Sequence, residues 1–513
     1  MSLTKKQNIK ISIYITFITM ILSMVVHFFY TPFLLNKVGD DQYGLYGFAT
    51  SALSWLSVAV NAILSAYNKI ASEEIAKNPK EGEEKVNSIY SFIVIIWSAI
   101  ISVIASVLLL LMALGIISLN AYSPADQKTI LILFIIVTIQ MIITVATKVA
   151  NLNITYNNHH VWVKMSNLIV TIAAPIISIP FLLNGCNIIV IVIIQVSVNI
   201  ISHIVDIFYD SLVLKKKYRL FPKKADLKMI GPILAFCSII LINEISYQLD
   251  SSIDNIVMGS KGYSIDITLY SLALTIVTIA STCSSMIYTP FIPTVFRNEA
   301  NNNREANLKL YDMISFIQSL LWLFIAGGFI ACGKEFTYIW VGKDREIVYY
   351  ICSSLFIIRS MSNCAGPTRD MMRANNKHLH RSLLAIGVTT LNATLTILFV
   401  NILPAKYAIW GCIIGTGASS IIGWWIIANI MNYKYLNVNV RKFLFNFTII
   451  ASITATSDAI ILIIKNYIFA KYINHNAIIF LISGSLFVLL FVGSVLLIYK
   501  KRVKEYYRLL RSK

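Results

Sequence analysis

Arg359 is the residue whose type and setting say most about chemistry. It stands inside the apolar stretch 348–368, preceded by Leu355-Phe356-Ile357-Ile358. A charged side chain at the centre of a membrane helix costs at least about 2.5–3.5 kcal/mol, so it has to face a cavity or a partner. Arginine suits a phosphate there, because its planar fork donates two parallel hydrogen bonds and keeps its proton where water is scarce. A structural ion pair, for example with Glu244, or snorkelling to the interface is the plainer alternative. Four further cations stand where an anionic group could pass. His27 lies in the far half of the first apolar stretch and Lys37 at its mouth, while Lys148 and Lys164 flank the polar loop after the fourth stretch. Hydrogen bonding to a neighbouring helix explains His27 equally well, and ordinary solvated positions explain the three lysines.

The acids form a second set. Glu244 sits in the far half of the seventh apolar stretch, with Asp250 and Asp254 near its end. A shielded carboxylate can exchange a proton or, with oxygen neighbours, hold sodium, so all three are candidate ion-coupling groups. His203 and Asp206 are three apart on one helix face and could satisfy one another. Asp458, in the thirteenth stretch, suggests nothing beyond packing. Glycan hydroxyls and sugar faces would be met by Asn61, Gln140, Gln195, Asn199, Asn243, Gln248, Tyr46 and Tyr270, which interhelical hydrogen bonding also explains. The seven cysteines are scattered without a CxxC or a metal-ligand spacing and read as small buried side chains. No catalytic constellation, metal site or cofactor motif is expected, and nothing resembles GxxxxGK[ST].

These residues can only be positioned by membrane helices. The chain has 513 residues, 57% apolar and only 13% charged, about half the charged fraction of a soluble domain. Fourteen apolar stretches of roughly 21 residues, from 10–35 to 476–499, leave no room for a separate soluble domain. Backbone groups in hydrocarbon must be satisfied internally, so these stretches predict helices, and the short alternating runs of a barrel are missing. The net charge of +19 is distributed unevenly. With the N-terminus in the cytoplasm, inner segments carry roughly three-quarters of the Lys and Arg, which predicts both termini inside and an even number of spans. Topology, rather than nucleic-acid binding, therefore accounts for the charge. The basic clusters at Lys215–Lys228 and Lys500–Lys513 could also hold anionic membrane lipids.

The basic linker 213–227 separates an N-terminal six-helix lobe, 1–212, from a C-terminal one, 228–432, with two additional helices and a basic tail in 433–513. Leu45-Tyr46 with Ala49 is echoed by Leu269-Tyr270 with Ala273, Tyr67 by Tyr288, and Asn157-Asn158-His159 by Asn375-Asn376 and His378. An even span count per lobe predicts parallel repeats about an axis along the membrane normal, enclosing a central cavity.

The run Pro32-Phe33-Leu34-Leu35, Gly39 and Asp41-Gln42-Tyr43-Gly44 resembles the end of the first helix in polysaccharide-type, Wzx-like flippases of the multidrug/oligosaccharidyl-lipid/polysaccharide exporter superfamily. The Asp250–Asp254 segment leading to Gly259 and Tyr270, Ile339-Trp340-Val341-Gly342, and Trp410-Gly411-Cys412-Ile413-Ile414-Gly415 are similar to patterns at matching places in that family. The resemblance spans most of the chain. It implies a non-enzymatic transporter in a bacterial inner membrane that turns an undecaprenyl-diphosphate-linked oligosaccharide, an O-antigen, capsule or exopolysaccharide repeat unit, from the inner to the outer leaflet. Arg359, His27, Lys37, Lys148 and Lys164 would then meet the diphosphate or glycan, H+ or Na+ would be the coupling ion at Glu244, Asp250 or Asp254, and a glycan polymerase machinery would be a partner. A cation-coupled multidrug exporter of the same superfamily, or a membrane glycan polymerase or acyltransferase, is the alternative. Arg359 argues against the first, and the lack of a substantial catalytic loop against the second.

Overall fold

The computed structural model describes residues 5–51, 122–156, 159–214, 252–375, 377–469 and 475–511, with isolated helical positions 58, 98–99, 102–103, 106, 110 and 248. The architecture is all-α, with no strand among the described residues. Ten of the described helices are long and apolar enough to cross a membrane. Residues 215–227 of the inter-lobe linker, Glu244, Asp250, Asn61 and Asn243 lie outside the described residues. The chain forms two compact units, Met1–Thr268 and Leu269–Lys513.

The first unit is built on α1 (Lys5–Val38), α2 (Pro124–Tyr156), α3 (His160–Leu183) and α4 (Ile188–Val213). Helix α1 packs on α3, α2 on α4, and α3 on α4. One stripe of α1, formed by Ile18, Ile21, Val25 and Phe29, is exposed; an apolar stripe at helical spacing in a spanning helix is a lipid-facing surface. The helix stops at Gly39, whose φ of +85° lies in the left-handed region that favours glycine. Helix 40–51 follows immediately. It runs so close to the start of α5 (Ser264–Tyr288) that a Cβ on Gly44 would lie 2.1 Å from the Ser264 carbonyl oxygen. Ser264 Oγ donates to Asp41 Oδ1 at 2.7 Å and Thr268 Oγ1 to the Asp40 carbonyl at 2.7 Å. The Asp41-Gln42-Tyr43-Gly44 run is thus a packing device.

In the second unit the long helix α7 (Arg304–Trp340) follows the short α6 (Ile292–Ala300). It is joined by α14 (Val440–Ile464) and α15 (Asn476–Arg511). The three helices meet at Gly327, where an added Cβ would lie 2.2 Å from Thr454 and 2.8 Å from Phe487. Two ionic contacts reinforce them. Lys465 Nζ reaches Glu335 at 2.6 Å, both largely buried, and Asp312 receives Lys442 at 2.6 Å and Arg502 at 3.2 Å. The last two helices, set apart by the sequence repeat, are therefore integral to this unit's core, with Asp458 buried in α14. The other half of the unit pairs α11 (His378–Ile402) with α12 (Ala408–Ser420). Gly411 and Gly415 lie against the backbone of Phe399, Val400 and Thr396, a small-residue seam of the kind that lets membrane helices approach closely. A π-helical turn, Ile421–Ile427, joins α12 to α13 (Ala428–Leu436).

Candidate functional site

The stretch 348–368 is not one helix. It divides into α8 (Ile347–Ile358), α9 (Ser360–Cys364) and, beyond a second interruption at Ala365-Gly366, α10 (Pro367–Ala374). Arg359 is the residue at the first break. The continuous span predicted from composition fails at both interruptions, and the second follows from Pro367, which cannot donate to a preceding turn, so the chain leaves the helix before it. Non-helical backbone at membrane depth survives only where protein satisfies its freed carbonyls. Several are accounted for. The Ile358 carbonyl accepts Ser420 Oγ at 3.0 Å and Trp425 Nε1 at 3.3 Å, and the Phe356 carbonyl accepts Trp322 Nε1 at 3.2 Å. The interruption is a single residue: Arg359 N still donates to the Leu355 carbonyl at 2.9 Å, and the Arg359 carbonyl accepts the Asn363 amide at 3.2 Å as well as Asn363 Nδ2 at 2.9 Å and Ser362 Oγ at 3.0 Å.

The second interruption is held from α7 and α5. Gln318 Oε1 accepts the Gly366 amide at 3.2 Å while its Nε2 donates to the Ser284 carbonyl at 3.1 Å. Ser284 Oγ in turn donates to the Asn363 carbonyl at 2.9 Å. Helices α5, α7 and α12 and the π turn thus converge on the broken element, and Arg359, half-buried, is carried on a scaffold fixed from three sides.

The other expected site residues fall in the first unit. His27 is exposed yet lies on the side of α1 opposite the Ile18–Phe29 stripe, its Nδ1 2.7 Å from the Ser23 carbonyl. A lipid-facing position is thereby unsuited to it, and a hydrated surface suits it. Lys37 is exposed in the last turn of α1, and Lys164 is half-buried in the first turns of α3. Lys148 belongs to α2, with its side chain outside the described ones. Asp254, in helix 252–260, is buried at 3% exposure beside Asn255, whose Nδ2 donates to Ser51 Oγ at 3.0 Å. Within the described residues these groups are not gathered into one cluster.

Two polar candidates are brought together: Tyr46 donates its hydroxyl to Gln195 Oε1 at 3.2 Å, across 149 residues of chain. Asp206, expected to pair with His203 on its own helix, accepts a hydrogen bond from Trp162 Nε1 of the neighbouring helix at 2.9 Å. Trp162 stacks on Tyr209 at 4.0 Å, and Tyr209 holds His159 Nδ1 at 2.8 Å.

Sequence reasoning missed the residues that make the break possible. Ser420, Trp425, Gln318 and Trp322 carry no charge and stand in ordinary apolar stretches. The adjacent pair Trp424-Trp425 is the one local signal, and the π turn makes its meaning: Trp425 turns to the Ile358 carbonyl while Trp424 lies under the Arg381 guanidinium, 4.7 Å from it. Single π turns inside α-helices are frequent at functional sites.

Residues 6–299 match the model of a family described as polysaccharide biosynthesis protein. No curated protein sequence matches the chain. Among solved structures, the chain is similar to a lipid II flippase MurJ in an inward closed conformation, with TM-score 0.70 and 16% identity over 96% of this chain and 100% of that one. It is also similar to an inward-facing multidrug resistance MATE family transporter of the MOP superfamily, with TM-score 0.60 and 13% identity over 82% and 95% of the two chains. A MOP superfamily transporter from Pyrococcus furiosus Vc1 aligns with TM-score 0.52 and 14% identity over 83% and 94%. At these identities the likeness establishes the fold alone, an all-α multi-pass membrane fold.

Proposed function

The chain belongs to the polysaccharide biosynthesis protein family, and from that premise we propose that it is a flippase for an undecaprenyl-diphosphate-linked oligosaccharide. It turns the headgroup from the cytoplasmic to the outer leaflet of a bacterial inner membrane by alternating access, with both termini in the cytoplasm. The observation that carries this reading is the membrane helix broken at an arginine. A discontinuous helix at membrane depth is the place where transporter folds expose backbone and charge to a substrate, and an arginine there selects a phosphate. Arg359 serves as the diphosphate contact, with Lys164, Lys148, His27 and Lys37 along the route and Tyr46 and Gln195 toward the glycan.

The direction needs no nucleotide. With the interior negative, moving a diphosphate of about two negative charges outward releases about 2.3 kcal/mol per charge per 100 mV. Inward H+ or Na+ bound at Asp254, Asp250 or Glu244 adds to that drive, and the product passes to the glycan polymerase machinery outside.

The test is reconstitution. Liposomes containing the purified protein and a short fluorescent undecaprenyl-diphosphate glycan are treated with an impermeant reagent that destroys the outer-leaflet label. Protein-dependent loss of the protected fraction, abolished by Arg359→Ala in protein that inserts normally, supports the flippase. Full flipping by the variant removes Arg359 from the substrate site. No flipping alongside export of a cationic dye would assign the chain to multidrug transport instead.

A further inference from the structure

A second arginine-bearing site lies at the junction of α10 and α11. Helix α10 carries Arg369, Asp370 and Arg373, and the first turn of α11 carries Arg381. The carboxylate is spoken for. Asp370, 2% exposed, accepts the Tyr288 hydroxyl at 2.8 Å and Arg373 Nη1 at 3.3 Å, with Arg369 Nε at 3.8 Å. Arg381 is served differently. Its guanidinium lies over the Trp424 ring at 4.7 Å, and its Nη1, sealed from solvent, finds no acceptor among the described residues. The Arg369 guanidinium stands close enough to repel it. Three guanidinium groups against one carboxylate leave positive charge in excess, with one buried donor group, Arg381 Nη1, unused.

An ordinary positive-inside surface does not have this form. Charges that serve topology alone are solvated at helix ends, whereas Arg381 points away from the exposed Leu379 and Leu383 on the other face of α11. It packs at the end of the core cluster of Leu384, Val388 and Ala428. A buried charged donor without an acceptor is costly, and a second like charge beside it adds to the cost. An anion shared between the two relieves both. The aromatic platform fixes the plane of the fork, which favours an oxyanion with two or more acceptor oxygens at bidentate spacing. Arg369 and Arg373, 59% and 51% exposed in their side chains, can close over it from the water side.

We propose that Arg381, on its Trp424 platform, together with Arg369 and Arg373 forms a binding site for the phosphate or diphosphate group of a lipid. The ligand chemistry follows from the side chains alone. Its place, at the cytoplasmic leaflet, rests on the topology of the proposed flippase. The phosphate can come from a lipid-linked diphosphate waiting to be carried or from an anionic phospholipid headgroup, and the two are separable by experiment.

Trp424 supplies the reporter. Full-length protein in neutral detergent is titrated with inorganic pyrophosphate, with undecaprenyl diphosphate and with phosphatidylglycerol, following tryptophan fluorescence, and Trp424→Phe identifies the signal from this site. The expected result is a saturable change lost in Trp424→Phe and weakened at least tenfold by Arg381→Gln, with Arg381→Lys between the two. The exposed variant Arg369→Gln, which leaves the packing intact, should weaken binding severalfold and so guards against misfolding of the Arg381 variants. Tighter binding of undecaprenyl diphosphate than of phosphatidylglycerol assigns the site to the substrate, and the reverse assigns it to a membrane lipid. No saturable change with any ligand, or equal binding by Arg381→Gln and wild type, overturns the proposal. Saturable binding in a protein that flips no glycan would count against the flippase and leave this site standing.

Discussion

Helix α2 in the first unit and the α8–α9–α10 element in the second lie about 218 residues apart in the chain, each followed by an Asn-Asn pair and a His. Their structures differ. Helix α2 runs unbroken for 33 residues, Pro124–Tyr156, while its counterpart is cut at Arg359 and again at Ala365-Gly366. Both stretches are apolar, so hydropathy does not separate them. The difference lies in what surrounds them: the second has Ser420, Trp425, Trp322 and Gln318 to receive or supply the hydrogen bonds that an interrupted helix gives up. Two apolar stretches of similar length can thus differ, one running as a continuous helix and the other interrupted where neighbouring side chains take up its hydrogen bonds.

The most severe way to break the comparison is to remove the charge at the opening. Arg359→Ala should lower glycan flipping at least tenfold in liposomes with normal insertion, while Met141→Ala, near the matching position of α2, should leave the rate within about twofold. A steric test comes next. Gly415→Val places new carbons within 2.6 Å of Thr396 Oγ1 and 2.8 Å of its backbone nitrogen, so overpacking should cost about 1–3 kcal/mol in thermal unfolding. Gly387→Ala, whose Cβ meets nothing within 4 Å, should be neutral or slightly stabilising.

Smaller effects sharpen the picture. Ser420→Ala combined with Trp425→Phe deprives the Ile358 carbonyl of both donors. A loss of about 1 kcal/mol is expected, together with faster amide hydrogen exchange around residues 355–363 that α2 should not show. In the first unit, Tyr46→Phe should cost about 0.6 kcal/mol, the usual worth of a hydrogen bond between membrane helices.

The weakest expected effect is at Glu346, in the polar turn before α8. Lys334, at 2.7 Å, and the Tyr338 hydroxyl hold its carboxyl below its ordinary value of 4.5. A lowered folded value contributes stability above the ordinary carboxylate range and loses it as pH falls through the folded value. Glu346→Gln should therefore cost less than about 1 kcal/mol at neutral pH, since the pair is more than a third exposed. The difference from wild type should vanish in acid, and thermal scans at pH 7 and pH 3 measure both.

Much of the fold was legible in residues taken one at a time. Runs such as Ile188–Val213 can only be helices at membrane depth, whereas the interruptions within 348–368 were not read from composition. The motif glycines were legible as unusual but not as packing: Gly44 and Gly415 acquire their meaning from Ser264 and Thr396, which composition cannot pair with them. The candidate site was legible in one residue, since an arginine in hydrocarbon is conspicuous. Its supports were not, because serine, glutamine and tryptophan are unremarkable in an apolar stretch.

The sequence by itself determined an all-α membrane protein and singled out Arg359 as a charge inside an apolar stretch. Those properties come from transfer free energies, which each residue carries wherever it lies. Only the tertiary structure decided that the helix would be interrupted at Arg359, that Asp206 would accept from Trp162 of another helix, and that Arg381 would lie on Trp424. Each depends on donors and acceptors meeting from distant parts of the chain, and in a medium without water such meetings decide which backbone and charged groups can be left open.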